Sequence, residues 1–437
     1  MSDKAAITHR RVLTVALPVV LSNATVPILG AVDTGVVGQM GEAAPIGAVG
    51  IGAIALTAIY WIFGLLRMGT AGRTAQAIGA GRKGEVAALF SRGMIIALAA
   101  GFMIIALQMP FMWLAMKTAP ASDEVESLAR SYMGIRIYGA PAAIGIYVAS
   151  GWLIGQGRTR ALLLIQLWMN GLNIALDLWF VLGLGWGVEG VAIATLIAEW
   201  SGLALGCWMC RDALNTPAWK DWPRVFERSA MVNFATVNRD ILLRSVMLQG
   251  IFMSFIFLGA RYGDVTLAAN HVLLQFLEIT AYAMDGFAIA AETLVGQSLG
   301  ARSLSHVRRA AVLTSFWGGV SAIITASAFM VFGPAIIDIM TTSPDVRIEA
   351  RAYLPYMIAA PIMGCAAWML DGIFIGATRS GDMRNMMAIS AVIYVVALFS
   401  LMPVIGNHGL WLALLISFIA RGATLGWKYP NLERSAL

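Results

Sequence analysis

Twelve long apolar runs, set one after another with short links, constrain this chain more than any other feature. They fall near residues 12–37, 46–72, 86–113, 127–152, 160–183, 187–210, 240–260, 266–294, 307–333, 350–376, 385–405 and 409–428. Each supplies the roughly 20 apolar residues that a helix needs to cross the hydrocarbon core of a bilayer. Composition decides that the bilayer is the solvent. Of 437 residues, 59% are hydrophobic and only 12% charged, where a soluble domain carries about 25% charged residues. Mean hydropathy is +0.77. The alternating segments of about 10 residues that build a membrane β-barrel are absent. The chain is therefore expected to be an all-α polytopic membrane protein with twelve transmembrane helices.

Twelve spans put both termini on one side, and the distribution of Lys and Arg identifies it. Arg67, Arg130, Arg136, Arg244 and Arg421 lie inside the apolar runs. Of the rest, Lys117, Arg261, Arg347 and Arg351 occupy one set of links, and the remaining twenty-one of the 30 Lys and Arg occupy the other. By the positive-inside rule, both termini are cytoplasmic. Topology thus accounts for the net charge of +6, and its dispersal over many links argues against a nucleic-acid surface. No short apolar core followed by an A-x-A site suggests a cleaved leader.

The chain repeats itself. "AQAIGAGRKG" (75–84) resembles "GQSLGARSLS" (296–305), and "GWLIGQGRTR" (151–160) resembles "GIFIGATRSG" (372–381). Both pairs share an offset of 221 residues. The longest charged connection, "RDALNTPAWKDWPRVFERSAMVNFATVNRD", divides the runs six and six. These features predict an N-terminal lobe at 1–210, a cytoplasmic linker at 211–239 and a C-terminal lobe at 240–437. Because six spans separate the copies, the repeats are parallel, a transporter arrangement with a substrate path between the halves. The repeated motifs themselves read as tight turns, with Gly supplying the backbone freedom.

Acidic residues inside the spans are the candidate machinery, since a mid-membrane Asp costs about 2.5–3.5 kcal/mol on insertion scales. Asp177 lies in "NGLNIALDLWFVLGLG", roughly 9 Å from the outer end of its helix. Asp33, in "VPILGAVDTGVVG", is about one turn from the outer end of helix 1. Asn173 precedes Asp177 by four residues on the same face, and Thr195 of helix 6 falls at a similar depth. Two carboxylates at one depth in a poorly solvated site share a proton or hold a cation. Pro18 and Pro27 remove backbone hydrogen bonds from helix 1 and permit bending. In the second half, Asp371, Asp285 and Arg244 lie toward the inner side. An ion pair of Arg244 with Asp371 or Asp285 is one reading. An organic-cation site is another, because Trp368 shares a helix face with Asp371. The partners of Glu199, Glu278 and Arg421 stay open.

Other classes find little support. There is no Walker-type phosphate loop, and the four His (9, 271, 306, 408) lack metal spacing. No filter-like repeat indicates a channel. Neither a catalytic constellation nor a cofactor or metal site is expected. "CWMC" (207–210) has no second Cys/His pair nearby, and its cysteines read as small buried hydrophobes.

The Pro18/Asp33 helix, "NIALD" in helix 5 and "GVAIAT" at the start of helix 6 resemble the multidrug and toxic compound extrusion (MATE) transporters. "NRDILLRS", "AYAMDGFAIAAETLVGQSLGAR", "LDGIFIGATRSGDMRN" and "GNHGLWLAL" resemble the DinF branch of that family. The resemblance implies a V-shaped pair of six-helix lobes in a bacterial inner membrane. It also implies a monomeric antiporter exporting small lipophilic or cationic organic compounds against inward protons or sodium. Residue by residue, the family's first-lobe network falls on Asp33, Asn173, Asp177 and Thr195, with Pro18 at the bend. The family's second-lobe cation site uses acids on helices 7 and 10. Here helix 10 offers Asp371 while helix 7 has none, which favours proton coupling. A sodium-coupled exporter and a lipid-linked oligosaccharide flippase are the alternatives.

Overall fold

The computed structural model describes residues 6–39, 43–118 and 121–434, apart from the side chains at 28, 30, 31, 33, 34 and 43. All regular structure among these residues is helical. Helix α1 spans His9–Gly38. Besides α1, eleven helices among the described residues are by length and composition able to cross a membrane, including α2 Ala44–Gly79, α3 Lys83–Ala106, α4 Asp123–Gly155, α5 Thr159–Gly183 and α6 Gly187–Met209. The second series begins with α7, Arg228–Gly259. It continues with α8 Asp264–Gly300, α9 Leu304–Met340, α10 Pro344–Gly376, α11 Ser380–Ile405 and α12 Asn407–Arg434. These twelve follow the twelve apolar runs in order. Side-chain placement fits a hydrocarbon solvent: Ile339 and Phe399 are 85% and 70% exposed, whereas Asp177 and Asn173 are 0% and 1% exposed.

Two runs are less regular than their composition suggests. The third breaks at Leu107, and a separate helix, Gln108–Thr118, follows α3. Pro110 has no N–H to donate to Ala106, so the ladder stops there. Helix α2 tightens at Phe63 and Gly64, whose N–H groups reach back three residues to Tyr60 and Trp61, a local 3₁₀ turn.

The chain folds as two compact units. The N-unit comprises Leu21–Ile78 and Arg82–Val232; the C-unit comprises Met1–Val20, Gly79–Gly81 and Asn233–Leu437. This division departs from the expected 1–210, 211–239 and 240–437 at both ends. Helix α1 is shared, because its first part packs in the C-unit. Val12, Val15 and Ala16 join a core with Phe287, Ala290, Ala291 and Leu294 of α8, and Arg11 donates to Gln297 at 2.8 Å. Gly286 admits this approach, since a Cβ there would strike the Ala16 carbonyl and Val20. Most of the expected linker belongs to the N-unit. Buried Arg92 of α3 donates to the carbonyls of Val225 and Arg224 at 2.9 and 3.0 Å and pairs with Glu85 at 3.2 Å.

The 221-residue repeat reappears as backbone geometry. After α2 and α4, Arg82 N–H bonds the Ala77 carbonyl and Arg158 N–H bonds that of Leu153, both at 2.9 Å. After α8 and α10, Ser303 bonds Ser298 at 3.1 Å and Arg379 bonds Phe374 at 3.0 Å. These are four copies of one helix-ending motif, whose penultimate residue adopts a left-handed conformation. Gly81 (φ 68°) and Gly157 (φ 73°) fill that position in the first half, Arg302 (φ 52°) and Thr378 (φ 53°) in the second. Interhelix packing repeats as well. Gly151 and Gly155 of α4 lie on the backbone of Arg67 and Ala71 in α2, as Gly372 and Gly376 of α10 lie on Ala288 and Glu292 in α8. Small residues four apart let the two backbones cross closely.

Candidate functional site

Within the N-unit, α5 carries a polar stripe: Gln166, Asn170, Asn173 and Asp177. The spacing of four, three and four residues keeps all of them on one helix face. Gln166 donates to Asn170 at 3.0 Å, and Asn170 donates to Thr25 Oγ1 of α1 at 2.9 Å. Asn173 Nδ2 donates to Asp177 Oδ2 at 2.5 Å. Both of these last two residues are fully enclosed. Immediately beyond Asp177 the helix widens into a π turn, Leu178–Gly183, with Leu184 N–H bonding the Trp179 carbonyl at 2.9 Å. Such turns recur at functional sites because they displace a side chain from the regular helical register. Here the displacement begins next to the carboxylate.

Of the four residues expected to converge in this unit, Asn173 and Asp177 are in contact. Thr195 is half-buried and donates to the Val191 carbonyl of its own helix at 3.0 Å. The side chain of Asp33 lies outside the described residues. Gln166, Asn170 and Thr25 are polar members that sequence reasoning passed over, although Gln166 and Asn170 continue the Asn173/Asp177 stripe at spacings of four and three residues. Pro18 is buried and stands two residues before Val20, where α1 passes from the C-unit to the N-unit. It leaves the Thr14 carbonyl without its helical donor.

A second polar centre joins α4 to α6. Arg136 and Glu199 form an ion pair at 2.8 Å, each side chain about nine-tenths buried, and the Tyr60 hydroxyl of α2 donates to the Arg136 carbonyl at 3.3 Å. Glu199 thus has its partner. At the end of α6, Cys210 is enclosed by Phe90, Ala149 and Trp152, and burial pushes its thiol up from the ordinary range. It is a packing residue.

The C-unit holds a third centre, of different balance. Arg244 of α7 donates to Asp371 Oδ2 of α10, and Arg421 of α12 stands 3.6 Å from the same oxygen. All three are buried, at 7%, 7% and 4% exposure. The Arg421 guanidinium also lies 5.9 Å over the Phe418 ring, and Phe418 packs on half-buried Trp368 at 5.5 Å. Asp285 is half-buried on α8.

A doubly repeated helical membrane fold with enclosed polar centres on its long helices is that of a multi-pass transporter. The comparisons agree. The MatE family model matches residues 18–179 and 241–404. DNA damage-inducible protein F of Escherichia coli strain K12 is 39% identical over 419 residues, covering 94% of this chain and 90% of that protein. The probable multidrug resistance protein NorM of Neisseria meningitidis serogroup B is 24% identical over 361 residues, covering 79% and 76%. A crystal structure of MATE in the straight conformation superposes with a TM-score of 0.87 at 18% identity, covering 98% and 96% of the two chains; at that identity the likeness speaks for the fold alone. The chain belongs to the MATE family of multi-pass membrane transporters, and it is not an enzyme.

Proposed function

We propose that this protein is a secondary active antiporter that exports small lipophilic organic compounds in exchange for inward protons. The observation that carries the reading is Asp177, a fully enclosed carboxyl held by Asn173 at the start of a π turn. A carboxylate in such a place is a functional group by default, because its charge has no water to stabilise it. Taking up a proton neutralises it and changes which donors it needs. Such a change of partners acts as a two-state element when one protonation state favours one conformation.

In the mechanism we infer, substrate-loaded protein takes a proton from outside at Asp177, with Asp33 as its sequence-based partner. The α5 carboxyl then loses its call on donors, and α1, tied to α5 through Thr25 and Asn170, bends at Pro18. Substrate leaves, and the reset releases the proton to the cytoplasm. Coupling requires that proton and substrate bind the two states with different affinities. In this reading both termini are cytoplasmic, the membrane is a bacterial inner membrane, and the acting form is a monomer. The NorM relative's name describes multidrug resistance, which fits a broad lipophilic cargo.

The test is export of a fluorescent dye from proteoliposomes under either a pH gradient or a sodium gradient. Export driven by the pH gradient and reduced at least tenfold in Asp177→Asn supports the proposal. Sodium-driven export that survives Asp177→Asn refutes it.

A further inference from the structure

The charge balance of the C-unit centre is uneven. Two guanidinium groups share one carboxylate, since Arg244 and Arg421 both pair with Asp371. Arg244 takes the direct hydrogen bond to Asp371. Arg421 is left at 3.6 Å, beyond hydrogen-bonding distance, and its guanidinium makes no hydrogen bond among the described residues. Its Nε and that of Arg244 are buried without a partner. A guanidinium carries five N–H donors and does not deprotonate, so it cannot escape burial by becoming neutral. At 4% exposure it lacks the water that stabilises a surplus surface charge. A buried charge of this kind calls for a counterion and acceptors.

Asp371 cannot serve an organic cation while two arginines hold it. Two arginines against one carboxylate give the centre a net positive charge, which an anion would balance. Its geometry suits an organic oxyanion, since an Arg fork matches two oxygens of a carboxylate or sulfonate in two parallel hydrogen bonds. The apolar side is present too: Phe418 lies under Arg421 and Trp368 packs on Phe418. We infer that Arg421 and Arg244 form a binding site for the carboxylate or sulfonate of a lipophilic organic anion, with Trp368 and Phe418 against its apolar body. This deepens the export reading, on which it rests for its physiological meaning, by naming a substrate class opposite in charge to the cations the family resemblance suggests.

Two probes with the same fluorophore and opposite charge make the test: dansylglycine, an anion, and dansylcadaverine, a cation. Equilibrium binding is measured with the full chain in phosphatidylcholine nanodiscs. The wild type is expected to bind dansylglycine at least tenfold more tightly than dansylcadaverine. Arg421→Gln should weaken dansylglycine at least tenfold, with Arg421→Lys recovering part of the loss. Asp371→Asn should tighten it severalfold, because it removes the carboxylate that competes for both arginines. Tighter or equal binding of the cation overturns the inference, as does a shift in the same direction for Arg421→Gln and Asp371→Asn, which a purely structural cluster would give. If Arg421→Gln does not fold, the wild-type charge preference and Asp371→Asn still decide. Adding phosphatidylglycerol to the nanodiscs tells the sources apart: competition points to a lipid headgroup as the anion, and its absence to a free solute, and either upholds the site's polarity. No ion gradient enters the measurement, so a failure of proton coupling leaves this result readable.

Discussion

Gly81 and Arg302 stand at the same place in two copies of one turn, both with positive φ, at 68° and 52°. A Cβ at Gly81 would meet nothing within 4 Å, so its replacement tests backbone conformation alone. Gly81→Ala should destabilise by about 1–2 kcal/mol, the cost of a left-handed L-residue. Arg302→Gly should relieve a similar strain, less the entropy of a freer unfolded chain, and raise the thermal midpoint. Opposite shifts in melting temperature for the two variants would check the argument; shifts of the same sign would contradict it. The residue scale also shows where the sequence is mute. Asp177 stood out as a carboxylate in an apolar run, and Asn173 could be read from its four-residue spacing. The π turn that follows could not, because it is a change of backbone register with no side-chain signature. Arg421 was visible as a charge in a membrane span, but its sharing of Asp371 joins positions 50 residues apart on different helices.

Among the elements, α4 and α6 are fastened by Arg136 and Glu199. Removing one partner leaves a buried charge alone, at a cost of about 3–5 kcal/mol, whereas replacing both by apolar residues of similar volume is often close to neutral. Arg136→Met should therefore lower the melting temperature of detergent-solubilised protein well below that of Arg136→Met/Glu199→Met, although the double variant has lost more native groups. A double variant as unstable as the single one would show that the pair does more than neutralise itself. The α4–α2 and α10–α8 crossings make a parallel case. Gly155 and Gly376 face backbone of the neighbouring helix, so Gly155→Leu and Gly376→Leu should each force the helices apart and cost several kcal/mol, within the range of severe overpacking, read as loss of monodisperse protein after extraction. The existence of these helices was legible in hydropathy, and the equivalence of the crossings in the 221-residue offset. Their neighbours were not, because sequence spacing says nothing about which of twelve helices a small residue will meet.

For the molecule as a whole, the proposed orientation makes an accessibility prediction. With Cys207, Cys210 and Cys365 replaced, a single cysteine at Gly81 or Arg302 should resist an impermeant maleimide added outside intact cells. One at Arg261 should react. Labelling at Gly81 and Arg302 but not at Arg261 would invert the topology. The division into two halves could be read from the repeat, yet the fold does not respect it at the first helix. The residues that flank Ala16 are mostly apolar, and nothing in them states that their neighbour is α8. Their place in the C-unit has a consequence in time. During synthesis Ala16 is made about 270 residues before Gly286, against which it packs. At about 5–20 residues per second, that is an interval of roughly 15–50 seconds. For that period the start of α1 sits in the membrane with its permanent neighbour still unborn, and the first helix to enter the bilayer is among the last to reach its final position.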